Sequence, residues 1–204
     1  MSTTGKVYIA SMKMRGAWAP VPENCLRVNV TSAQSKTSAY RIAFSPMTPT
    51  GYKGFLCFEN YWQSAKRYEG LTSEKDLYVQ DKWWRTRKKG RRRYPKGRNK
   101  QVLHAWFNNK AMGYIESRKE IYVPEYYEII KDSLVLKRLQ KAVKNGQDIA
   151  VYDFDGIRAD DGGPAIQELS LELLKEKIEA TEFPFGHGYI VAAALMNIEP
   201  SEYV

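Results

Sequence analysis

FENYWQSAKRYEG, residues 58–70, reads as one amphipathic helix, and its polar side chains govern how the rest of the chain is read. Glu59, Gln63 and Lys66 stand at i, i+4 and i+7. At about 100° per residue they fall within roughly a 60° arc. Phe55, Phe58, Trp62 and Ala65 form an apolar stripe beside that arc, so the trio borders the buried face. Helical ion pairs stabilise at i,i+3 or i,i+4. Seven residues set the Glu59 and Lys66 backbones roughly 10.5 Å apart along the axis. That distance leaves room for a ligand between carboxylate and amine, and it also lets two long side chains lean together as a plain boundary pair.

Outward from this helix, KVYIAS (6–11), LRVNVTS (26–32) and AYRIAF (39–44) read as short strands, with prolines at 20, 22, 46 and 49 placing turns. Ser73 and Asp76 predict a capped helix through Trp83 and Trp84. NKQVLHAWFNNKAM (99–112) reads as a helix ended by Gly113. VPEYYEIIKDSLVLKRLQKAVKNG (123–146) reads as a longer one, with Pro124 in its first turn and Gly146 as its C-cap. DIAVYDFDG (148–156) reads as a buried strand ending in acids. AIQELSLELLKEKIEA (165–180) and GYIVAAALMNI (188–198) complete the helices. Helices outnumber strands. The expected fold is α+β: a predominantly helical single domain, 1–204, with a small β-sheet.

The formal charge of +9 is concentrated. KWWRTRKKGRRRYPKGRNK (82–100) holds eleven of the 32 Lys and Arg and no acid, which leaves a net −2 for the remainder. Arg91, Arg92, Arg93, Lys96 and Arg98, interleaved with Trp83, Trp84 and Tyr94, suit contact with phosphates and stacking on planar rings. The expected partner is a nucleotide or nucleic acid. Two cysteines, Cys25 and Cys57, form no disulfide framework. The start carries no apolar run of the signal-peptide type, and no stretch reaches membrane-spanning length. A cytoplasmic or other reducing intracellular compartment is expected. With His104 and His187 as the only histidines, no zinc spacing appears, and no metal or cofactor is expected. The glycines flanking His187 precede an apolar helix, whose free N–H groups suit either phosphate or a simple buried turn.

GYKGFLCFENYWQSAK (51–66), with Glu, Gln four later and Lys three after that, resembles the signature of the NADAR superfamily, the YbiA-like N-glycosidases. YRIAF resembles that family's opening strand, KKGRRRYPKGR its Lys and Gly-Arg segment, and IAVYDFDG its acid-ended strand. The likeness covers residues 39–163; residues 1–38 and 164–204 lie outside it as extensions. It implies a NADAR/YbiA-like fold and cleavage of a ribose–base bond in a nucleotide, an ADP-ribosylated base or a modified nucleic-acid base, by hydrolysis or by transfer.

Such cleavage builds positive charge on the sugar and negative charge on the leaving base. A carboxylate near C1 stabilises the first, and an acid protonates the second. Glu59 is the candidate carboxylate. Lys66 serves either as a cation on sugar or base, or as a neutral amine that attacks the opened ribose aldehyde, a role the resemblance implies. The second role needs partial burial or a neighbouring cation to lower its pKa. Asp155 is the third catalytic candidate. Gln63, Trp62, Asp153, Trp83 and Trp84 are candidates for substrate binding. The alternative is a non-catalytic nucleic-acid-binding protein that uses the basic 82–100 segment.

Overall fold

The computed structural model describes residues 4–204. Along the chain run β1 (Val7–Ser11), β2 (Leu26–Asn29), α1 (Ala39–Phe44), α2 (Phe58–Ser64), β3 (Lys66–Tyr68), α3 (Glu74–Arg85), β4 (Val102–Phe107), β5 (Lys110–Met112) and α4 (Tyr114–Ser117). After a π-helical turn at Arg118–Tyr122 come α5 (Val123–Ile130), α6 (Leu134–Lys144), β6 (Ile149–Asp153), β7 (Ile166–Glu168), α7 (Leu171–Glu179) and α8 (His187–Leu195). They form two compact units. One comprises the described residues up to Ser45 together with Val123–Val204, and the other Pro46–Tyr122.

The first unit is built on a four-stranded sheet of order β2-β6-β1-β7. β6 lies parallel to both β2 and β1, while β7 pairs antiparallel to β1. Every β6 residue is buried, as a continuous apolar run covered on both faces requires. α8 is also buried along its whole length. α6 buries Leu136, Leu139 and Val143 at helical spacing and turns its basic residues outward. Within this unit the Tyr126 hydroxyl donates to the Phe44 carbonyl.

The second unit carries a three-stranded antiparallel sheet, β3-β4-β5. Its aromatic core joins Phe55, Tyr68, Trp84 and Tyr94. Trp62 stacks on Phe107 with centroids 5.6 Å apart and tilts against Tyr122.

This architecture corrects the expected fold class. Two open sheets of four and three strands are present, so the protein is a mixed α+β structure and not a predominantly helical one with a single small sheet. It is not clearly of the NADAR/YbiA-like fold.

The largest change lies at 99–112, expected as a helix, which is the β4–β5 hairpin. Asn108 and Asn109 both hold positive φ, at 49° and 60°, between the paired Phe107 and Lys110. Such backbone at both central residues is what a tight two-residue hairpin turn demands, and Asn tolerates it.

AYRIAF is the reverse case, a helix rather than a strand. Ser38 caps it by accepting from the Arg41 N–H, and the chain turns extended at Ser45 ahead of Pro46. The helix expected over 123–146 breaks at 131–133 into α5 and α6. Pro124 is the second residue of α5, one residue after the π-helical turn, where its missing N–H removes a helical bond. Residues 166–168 form β7 before α7 begins.

Candidate active site

α2 is short. Cys57 precedes it in extended backbone, and the helix ends at Ser64 with Ala65 as its cap. Lys66 is therefore the first residue of β3 and not part of the helix face, which corrects the single-helix reading of 58–70. The end is enforced from outside. Gln80 of α3, 1 % exposed, donates through Nε2 to the carbonyls of Ser64 (3.1 Å) and Lys66 (2.8 Å). Trp106 donates its backbone N–H to the Ala65 carbonyl at 2.8 Å. Helix-end carbonyls are thus taken up by a side chain and by the neighbouring strand.

Glu59 and Gln63 are both buried, and Gln63 Nε2 donates to Glu59 Oε1 at 2.8 Å. The amide holds the carboxylate in one orientation. Gln63 is 7 % exposed, and its Oε1 accepts no hydrogen bond among the described residues. A buried acceptor in this state costs roughly 1–3 kcal/mol.

Lys66 lines a cavity of about 280 Å³ together with Trp62, Leu103, His104, Tyr114 and Ser117. Its Nζ lies 5.9 Å from the Trp62 ring centroid. Burial lowers the Lys66 pKa from the ordinary lysine value, Glu59 opposes that shift, and Arg93 adds to it. Glu59 and Arg93 therefore each lie within electrostatic reach of Lys66. Burial and a neighbouring cation are the two conditions that make a lysine amine nucleophilic. Cys57, which precedes α2, is no competitor: burial pushes its thiol up to about 11.

The basic segment is bound to the same elements. Asn60 of α2 is fully buried. It accepts from the Arg91 N–H at 2.9 Å and donates to the Lys89 carbonyl at 3.4 Å. Gly97 lies so close to the Tyr68 ring that an added Cβ would sit 2.6 Å from it, so no larger residue fits there. Lys100 Nζ donates to the Glu69 carbonyl at 3.2 Å. Arg91, Arg92, Arg93, Lys96 and Arg98 remain exposed. A cationic surface is thereby fixed to α2 and β3, the elements that carry Glu59, Gln63 and Lys66.

The tryptophans part company. Trp62 is on the cavity wall. Trp84 is 0 % exposed inside the aromatic core, which corrects its assignment to substrate binding, since no ring face is open. Trp83 is half-buried, edge-on to Trp84 and Tyr94, with the Arg87 guanidinium 4.3 Å from its centroid.

Asp153 and Asp155 belong to the other unit. Asp153 Oδ1 accepts from the Phe154 N–H at 2.7 Å. Its Oδ2 accepts from the Gly188 N–H at 2.8 Å and lies 3.2 Å from His187 Nδ1. His187 Nε2 meets the Val30 carbonyl at 3.0 Å. A carbonyl only accepts, so Nε2 carries the proton of that bond. Asp153 thus occupies the anion site at the start of α8, where a phosphate was one of the two expectations. Its substrate-binding assignment is corrected to a structural one. Gly186 and Gly188 are needed because a Cβ at either would sit 2.6 Å from Asp153 atoms. Asp155 lies in the turn after β6, beside Gly186.

Asp153→Ala leaves both the α8 N–H and His187 buried without this partner. It is expected to destabilise the first unit by about 1–3 kcal/mol, the cost of a buried donor left unsatisfied. Denaturant unfolding followed by circular dichroism measures the loss.

Four contributors escaped the sequence: Gln80, Asn60, the hairpin residue Trp106, and Arg118, buried and stacked 4.4 Å over Tyr114 beside the cavity residue Ser117. Only Arg118 had a local signal, a cation next to a helix interrupted before proline. Among the described residues no group of three or more His, Cys, Asp and Glu is placed to hold a metal ion, and no helix is long and apolar enough to cross a membrane.

Comparison with protein-family models, curated proteins and solved structures finds no match. The descriptors NADAR, YbiA-like, N-glycosidase and ADP-ribose gain no support from those comparisons; the family resemblance is withdrawn for this chain, and any reading of its chemistry rests on the site alone. The distances and burial around Lys66 stand without them.

Proposed function

We propose that the second unit is a catalytic module that breaks the bond between ribose C1 and a base nitrogen in a phosphate-bearing substrate, a nucleotide or nucleic acid. One observation carries this: a half-buried lysine of lowered pKa, electrostatically coupled to a buried carboxylate, on the wall of a ring-lined cavity. The neutral Lys66 amine attacks C1. As the N–C1 bond forms, the C1–base bond breaks and its electron pair leaves with the base. Glu59 takes the proton released by the amine, and the departing base takes up a proton in turn. The C1–O4 bond then opens, O4 is protonated, and the nitrogen lone pair forms the C=N bond of an imine. Water adds to C1, the sugar aldehyde departs, and the amine is regenerated. Atoms and electrons balance with water as the only co-reactant.

Gln63 is a positioning residue through its bond to Glu59. Trp62 offers an apolar wall for the sugar or base. The exposed cations of 91–98 supply phosphate contacts. The test is chromatographic detection of free base after incubation with ribonucleotides, deoxyribonucleotides and oligonucleotides. Free base is expected from at least one phosphorylated substrate. Binding of the whole panel without base release would leave the non-catalytic nucleic-acid-binding function in its place.

Phosphate contact by the 82–100 segment carries its own prediction. Replacing Arg91, Arg92 and Lys96 together by Gln is expected to reduce the slope of log affinity against log salt by roughly 2–3 units on an oligonucleotide. Fluorescence anisotropy across a salt series measures it, with folding retained because these side chains are exposed.

A further inference from the structure

β3 alternates its side chains between faces, as any strand does. Lys66 faces the cavity described above, and Arg67, its neighbour, lines a larger one of about 430 Å³. That cavity is walled by Lys53, Arg67 and Arg85, by one acid, Asp81, and by the rings of Tyr61 and Trp106 among others. It is not part of the chemistry proposed for Lys66.

Its cations are held in place. Arg67 Nη1 donates to the carbonyls of Ser64 and Ala65, each at 3.0 Å, so the guanidinium is anchored at the wall. Its Nε and Nη2 hydrogens make no hydrogen bond among the described residues. Arg85 stacks 4.5 Å over Phe55 and is fixed by Asp81 at 2.8 Å. Lys53 Nζ sits 4.9 Å over the Tyr61 ring. Trp106 is 43 % exposed although large and apolar. A fixed guanidinium with unused donors, two further cations and an open indole at one cavity complement an anion joined to a planar ring. The volume is within the range of small-molecule sites.

We infer that this cavity is a second ligand site, separate from the Lys66 cavity, which takes a phosphate monoester carrying an aromatic ring, of the size of a nucleoside 5′-monophosphate. The phosphate pairs with Arg67, Arg85 and Lys53, and the ring lies on Trp106. Because Arg67 follows Lys66 directly on β3, occupation of this site bears on the strand that carries the reactive amine.

Equilibrium binding of radiolabelled adenosine 5′-monophosphate to the full chain tests it, with unphosphorylated adenosine and inorganic phosphate as competitors. Trp106→Ala is expected to weaken binding on the order of ten-fold. Arg67→Gln is expected to weaken it by at least as much, with adenosine and phosphate each competing poorly. Arg85→Gln, at an exposed position, serves as the variant least prone to misfold and is expected to weaken binding in the same direction. Lys66→Arg changes a side chain that lines the other cavity, keeps the charge and is expected to leave this binding in place. Unchanged affinity in Trp106→Ala and Arg85→Gln overturns the second site. So does loss of all binding in Lys66→Arg, which would assign the nucleotide to the Lys66 cavity. Base release, assayed separately, decides the catalytic proposal whichever result is obtained here.

Discussion

Lys66→Arg is expected to abolish covalent trapping of sugar on the protein and to lower base release on the order of 10³-fold or more. Arginine keeps the positive charge, the length of the stem and the approach to Trp62. It does not supply a neutral amine, since its guanidinium stays protonated at any accessible pH. If Lys66 acted only as a cation on the substrate, arginine would preserve much of the rate. The substitution therefore separates the two roles that residue type and spacing left open. A thermal melt identical to that of the wild type shows that lost rate is not lost folding.

Glu59→Gln carries the second large effect. Removing the proton acceptor is expected to reduce base release by roughly 10²- to 10⁴-fold. It also has an effect of opposite kind. Glu59 holds the Lys66 pKa up against burial, so replacing it with a neutral amide lowers that pKa further. The rate of imine formation rises with pH as the amine loses its proton and levels off above the pKa. In the wild type the midpoint is expected below 10.5, the ordinary lysine value. In Glu59→Gln the midpoint moves to lower pH, even as the maximal base release falls. Arg93→Ala removes a cation that lowers the pKa, so its midpoint moves to higher pH. A purely structural Glu59 would change stability and leave the pH midpoint where it was. The linkage to stability has the same origin. Between the folded pKa of Lys66 and 10.5 the unfolded chain binds more protons, so this group's contribution to stability rises with pH across that window.

Where local pattern and tertiary environment agree, the fold was legible. The IAVY run (149–152) is apolar, ends in Asp153 and lies inside its sheet between β2 and β1. Ser73 caps α3 as its spacing with Asp76 suggested. Gly146 takes positive φ just after α6. Misreadings arose where two patterns share one composition. VLHAWF alternates exposed and buried residues in its second half, but its apolar content equally suits a helix, and the turn signal Asn108-Asn109 lacks the glycine that marks most such hairpins. Residues 131–133 broke a helix whose apolar spacing runs on almost without a gap.

The site shows the same division. Glu59 and Gln63 at i,i+4 are a helical pair and could be read from spacing. Lys66 stands on a strand and feels Glu59 only electrostatically, because Gln80 and Trp106 hold the end of α2, and both of those contacts come from distant sequence. Arg93 acts on Lys66 from a segment that composition marked as basic without indicating what it faces. Trp84 looked the same as Trp83 in sequence, and only packing distinguishes a core ring from an accessible one.

The most direct measurement is reduction with cyanoborohydride in the presence of ribose 5-phosphate, followed by peptide mass mapping. The result expected is one sugar adduct, on the peptide containing Lys66, formed with a pH midpoint below that of ordinary lysine and absent in Lys66→Arg. No adduct, or adducts spread over the exposed lysines with Lys66 unmodified, would contradict a nucleophilic amine at this position.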